Sequence, residues 1–130
     1  MVVIVVDTSA VLACLAEERE ADEFTKRIAL AKRCIMSSVN LLEARLVLVF
    51  AKGIPVGIVD DFVTNEQIEI IPFDETLSNL AFEAYCRFGK GRHPAKLNMG
   101  DCAAYALAQA RGWPLLFKGE DFSQTDIERA

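Results

Sequence analysis

Asp7, Glu43 and Asp101 are carboxylates placed where a carboxylate is costly, and a further acid pair, Glu120 and Asp121, follows the last apolar run. Asp7 ends the unbroken run Val2 to Val6 in MVVIVVDTSAVL. A Val/Ile run apolar on both faces is the pattern of a central parallel strand, and the carboxyl ends of such strands open onto the usual ligand crevice. Capping of the next helix is the rival explanation, since Asp, Thr and Ser are all good N-caps. Glu43, in SSVNLLEARLVLVF, falls on a helical wheel between Val39 and Phe50 and close to Leu46, inside an apolar stripe. A charge there needs a partner such as a cation. Leu41 and Leu48 make the other face apolar too, which predicts packing on two sides and a second subunit. Asp101 opens GDCAAYALAQA, where the helix dipole alone would explain an acid. Ahead of it runs FGKGRHPAKLNMG, with Arg87, Lys90, Arg92 and Lys96 and no acid between Arg87 and Gly100. A flexible cationic loop leading into an acid suits a phosphate grip beside a held metal. A solvated basic turn is the plain alternative. The other acids lie in charged runs such as EEREADE or at caps, and read as solvated faces.

The elements that would position these acids alternate between short strands and helices. Strands are expected over residues 2–6, 34–36, 68–71 and 115–117, and helices over 10–18, 20–32, 39–52, 56–64 and 101–111, with another after the N-cap Asp74. Ser37 and Ser38 are cap candidates, and Gly53, Pro55 and Gly112 are stops. This alternation indicates an α/β fold with a mainly parallel sheet. The first and last strands then both finish at acids on one sheet edge.

With 130 residues and no repeat or linker, the chain reads as one domain over 1–130 with a real core. The net charge of −5 argues against a general nucleic-acid coat but not against a nuclease, whose cation site needs acids. Cys14, Cys34, Cys86 and Cys102 are scattered without a CxxC pair, which predicts free thiols in a reducing cytoplasm. One histidine, His93, and no paired ligand spacing argue against zinc. Neither a signal peptide nor a membrane span is expected.

The segments VVDTSAVLACL, SSVNLLEA, GKGRHPAKLNMGDCAAYALA and PLLFKGEDFSQTDI, in that order, resemble the PIN-domain family, and within it the VapC-type ribonuclease toxins of bacterial type II toxin–antitoxin pairs. The likeness runs over nearly the whole chain. It implies a three-layer α/β/α PIN-like fold and an acid cluster binding Mg²⁺ or Mn²⁺ for RNA phosphodiester hydrolysis. By this resemblance Asp7 and Asp101 are the main ligands, and Glu43 ligates or orients the attacking water. Asp121 completes the set, in preference to Glu120 because the Asp–Phe pair fits the family pattern. Thr8, Ser9 and Asn98 become supporting or substrate-orienting residues, and Lys90, Arg92 and Lys96 become contacts to the RNA backbone. A small VapB-like antitoxin in the active-site groove and a homodimer are the implied partners. Two rivals stand beside this reading. A haloacid-dehalogenase-like phosphatase wants a second acid two residues after the first, where this chain has Ser9. A PIN-fold RNA-binding protein without catalysis would have no need of four filled acidic positions. Dinucleotide binding lacks GxGxxG after the first strand.

Overall fold

In the computed structural model, which describes residues 2–130, four parallel strands form one sheet in the order β3-β2-β1-β4. The strands are β1 (Val3–Val6), β2 (Arg33–Ser37), β3 (Ile68–Ile71) and β4 (Leu115–Leu116). The helices are α1 (Thr8–Leu15), α2 (Ala21–Leu30), α3 (Ser38–Leu46), α4 (Val56–Asn65), α5 (Glu75–Phe88) and α6 (Met99–Arg111). Alternation along the central strands divides their side chains between two cores. Ile4, Val6, Cys34 and Met36 meet α1 to α4 on one face, while Val5 and Ile35 meet α5 and α6 on the other. The fold is therefore a three-layer α/β/α sandwich. The unbroken apolar run at the N-terminus follows directly from burial on both faces.

The strand order reverses at β1, whose neighbours are β2 on one side and β4 on the other. Crossovers leave on opposite faces at that point, so a crevice opens beyond the carboxyl ends of β1 and β4. Asp7 follows β1 there, and the turn carrying Asp121 follows β4.

Several helix ends are fixed by the residues expected from sequence. Ser37 caps α3 by accepting from the Val39 N–H, and Asp74 caps α5 by accepting from the Leu77 N–H. Gly112 ends α6 in the left-handed conformation at φ 66°.

Four expectations are corrected. The helix expected over 39–52 is α-helical only to Leu46 and continues as a π turn over Val47–Ala51. The core takes Asn40, Leu41, Ala44 and Leu48, so the Val39–Leu46–Phe50 stripe is the outer side, with Phe50 82% exposed. The loop before α6 is not loose: Gly89 and Leu97 form a parallel bridge, and Ala95 and Leu97 are buried. His93 packs edge-on against Phe88, and its Nδ1 accepts from the Ala95 N–H. Finally, α6 starts at Met99, and Asp101 sits on its first turn rather than opening it.

Candidate active site

Asp7 caps α1 and also stands at the β1/β4 crevice, so the two readings that sequence reasoning set against each other do not exclude one another. Its Oδ2 accepts from the Ser9 N–H (3.0 Å) and the Ser9 hydroxyl (2.6 Å). Oδ1 is buried without any hydrogen-bond partner. The Ser9 Oγ also accepts from the Lys118 N–H at 2.9 Å, and the Asp7 N–H donates to Leu116 O at 3.0 Å. The exits of β1 and β4 are thereby stitched together at the acid. The Lys118 ammonium itself is held by Glu18 at 2.5 Å.

Asp101 divides its oxygens in the same way. Its Oδ2 accepts from the Asn98 N–H (3.0 Å), while Asn98 Oδ1 accepts from the Asp101 N–H (2.9 Å), forming a reciprocal capping box. Each acid is thus oriented through one oxygen, leaving the other for the crevice.

Burial pushes the Asp7 carboxyl up to about 7, with the Ser9 hydrogen bonds opposing and the charges of Asp101 and Glu43 adding. Burial likewise raises Asp101 to about 6, with the Asn98 N–H opposing and Asp121 and Glu43 adding. The charge of Glu43 thus reaches both Asp7 and Asp101, which groups these acids with Asp121 in one cluster. The charge of Asp121 is among those that raise Asp101. Asp121 begins a 3-10 turn over Asp121–Gln124, anchored by buried Phe122 against Phe117 at 5.0 Å.

Among the described residues no three acid, His or Cys side chains converge tightly enough to hold one ion as placed. Other features fit a hard cation. The donors are carboxylates, the chemistry Mg²⁺ and Mn²⁺ take. Asp7 also presents a buried acceptor with no donor.

Two residues missed in the sequence complete the site. Asn40, fully buried, donates through Nδ2 to Thr8 Oγ1 (3.1 Å) and to Gly100 O (3.0 Å), and Thr8 Oγ1 donates to Asn40 O (3.2 Å). Gly100 is the residue against which Glu43 lies: a Cβ there would fall 2.5 Å from Glu43 Oε1. Both sit within the quoted motifs, but only long-range packing distinguishes them. The expected RNA-contact residues Lys90, Arg92 and Lys96 are all exposed, on the pinned loop that leads into α6. The Arg92 Nε–H donates to Cys86 O at 3.3 Å, which ties that side chain back to the end of α5.

Comparison with known proteins gives one family model over most of the chain: a PIN domain, matched by residues 4–128. A VapC ribonuclease of Mycobacterium bovis is 40% identical over 124 residues, covering 95% of either chain. A Ribonuclease VapC of Mycolicibacterium smegmatis is also 40% identical over 124 residues, covering 95% of this chain and 96% of its own. Among solved structures, the sarcin-ricin-loop-cleaving toxin VapC20 of Mycobacterium tuberculosis superposes with a TM-score of 0.79 at 17% identity, covering 98% of each chain. A DNA-bound VapBC from Salmonella typhimurium gives 0.72 at 15% identity, covering 99% of this chain and 96% of the other. At such identities the structural likeness speaks for the fold.

Proposed function

The chain belongs to the PIN-domain family and, within it, to the VapC ribonucleases, and from that premise we propose that it is the endoribonuclease toxin of a toxin–antitoxin pair, hydrolysing RNA phosphodiesters with Mg²⁺ or Mn²⁺. The observation that carries the chemistry is the acid cluster at the β1/β4 crevice, in which Asp7 keeps a buried oxygen with no donor. Asp7 and Asp101 would hold the metal, with Glu43 and Asp121 completing the set. When bound, the ion supplies Lewis-acid stabilisation of the phosphate and makes water a better nucleophile.

The chain's own residues do the rest. Ser9 and the capping box hold Asp7 and Asp101 in fixed rotamers. Glu43, lodged against Gly100, accepts the proton of the attacking water or orients it. Lys90, Arg92 and Lys96 grip the RNA backbone without reading its sequence. Pinning of the loop spares the entropy of ordering it on binding.

The partners follow. A VapB-like antitoxin holds the toxin inactive; fold relatives include a toxin–antitoxin complex from Klebsiella pneumoniae, of TM-score 0.69. Leu42, Leu46 and Met99, all exposed, form an apolar groove with Val39 beside Glu43, suited to an apolar segment of that partner. A homodimer would cover the exposed apolar surface at Phe50, beyond that groove. Phe50→Asp should therefore halve the mass seen in sedimentation, and a wild-type monomer would remove the dimer. The setting is the cytoplasm; among the described residues no helix is long and apolar enough to cross a membrane.

The deciding experiment is cleavage of a structured RNA by purified protein with Mg²⁺ or Mn²⁺, with EDTA, and with Asp101→Asn. Cutting is expected only with the wild type and metal. Undiminished cutting in EDTA, or by Asp101→Asn, would overturn the metal-acid assignment. In the same assay Lys90→Ala/Arg92→Ala/Lys96→Ala should weaken RNA binding by about tenfold or more and flatten its salt dependence. Wild-type affinity and salt slope would remove the loop from the RNA interface.

A further inference from the structure

Three acids of the cluster come from three separate places: the exit of β1, the middle of α3 and the first turn of α6. Like charges so arranged push their elements apart, so something uncharged must set the spacing. Asn40 lies one helical turn before Glu43 on α3. Its Nδ2 hydrogens go to Thr8 Oγ1 and to Gly100 O, the residues adjoining Asp7 and Asp101. A carbonyl can only accept, so the Asn40 atom facing Gly100 O must be the amide nitrogen. The Thr8 hydroxyl closes the link by donating to the Asn40 carbonyl. All this is fully buried, with Asn40 Oδ1 left without a partner. Leaving an amide oxygen unpaired is tolerated in return for two donors that a residue of apolar or acidic type cannot supply.

We propose that Asn40 is a positioning residue: its side chain ties the α1 and α6 starts to α3, and so sets the spacing of Asp7, Glu43 and Asp101. The inference rests on the ribonuclease reading. It concerns a residue that touches neither RNA nor metal.

The test compares Asn40→Ala, Asn40→Asp and Thr8→Val with Val59→Ala, a buried change in α4, which holds none of the acids. Mn²⁺ binding is titrated by electron paramagnetic resonance without RNA, and kcat and KM are measured on a structured RNA. Both Asn40 variants should shift the Mn²⁺ midpoint upward by about 10-fold or more. They should lower kcat by about 100-fold with KM nearly unchanged. Thr8→Val, which cuts one link without opening a cavity, should shift both in the same direction by less. Val59→Ala should lower the melting temperature and leave the midpoint in place. Wild-type midpoints in the Asn40 variants, or an equal shift in Val59→Ala, would overturn the inference. Should the Asn40 variants not fold, an unshifted Thr8→Val would do so. A wild-type protein that neither binds Mn²⁺ nor cuts RNA would instead overturn the ribonuclease reading.

Discussion

Asp7→Asn is expected to abolish RNA cleavage and at the same time to stabilise the metal-free protein at pH 8. The carboxyl of Asp7 titrates near 7 in the fold against an ordinary 3.8. The folded state therefore binds a proton that the unfolded state has released between those values. The contribution of Asp7 to stability in EDTA should fall as the pH rises from about 4 to about 7, and level off above. At roughly 1.4 kcal/mol per pKa unit, ionised Asp7 costs the metal-free fold on the order of 4 kcal/mol at pH 8. Asparagine retains the capping oxygen for the Ser9 N–H and hydroxyl and removes the buried charge. Melting in EDTA should thus rise by roughly 5–15 °C in the variant at pH 8. The gap should close towards pH 4. Cleavage should fall by about 1,000-fold or more, because in the proposed mechanism the lost carboxylate is a main metal ligand and the ion would lower the barrier by several kcal/mol. Melting curves at pH 4, 6 and 8 beside a cleavage assay decide the matter. A variant less stable than wild type at pH 8 would show that Asp7 is not held against its own charge.

Most of the frame, and part of the site, could be read from local pattern. The run ending at Asp7 was legible as a two-faced strand because burial on both sides leaves no polar alternation. The caps at Ser37 and Asp74 and the stop at Gly112 are decided within a few residues of chain, and they hold. Asp7 and Asp101 announced themselves through position, but whether each was a cap or a site acid was not decidable. In the structure each acid caps through one oxygen and keeps the other, a division that sequence does not show. The wheel around Glu43 took the outer stripe for the packing face, because a π turn and two opposed apolar faces make the core side ambiguous from periodicity alone. Asn40 was invisible for a different reason. Its partners lie 32 and 60 residues away, and a lone Asn on a helix reads as a solvated residue until α1 and α6 are brought against it. The basic loop looked flexible from its glycines, while the bridge from Gly89 to Leu97 depends on two buried apolar side chains fitting beneath it.

Gly100 poses the sharpest separation of folding from function. It occupies the first turn of α6 without a positive φ, so the backbone does not require glycine there. Alanine would favour the helix by up to about 1 kcal/mol. What glycine supplies is room. An added Cβ would meet Glu43 Oε1 at 2.5 Å, Oε2 at 2.7 Å and Cδ at 2.8 Å, and these atoms end a flexible side chain that can retreat. Gly100→Ala should therefore fold, with a melting temperature close to that of the wild type. To restore ordinary contact the Glu43 carboxylate must withdraw by about 1 Å, a displacement that can cost about 100-fold in rate. A double-mutant cycle isolates the cause. If displacement of Glu43 is the whole effect, Glu43→Ala/Gly100→Ala should be no slower than Glu43→Ala alone. Additive losses would place the role of Gly100 elsewhere, in its carbonyl bond to Asn40, and wild-type activity in Gly100→Ala would remove Glu43 from the reacting centre.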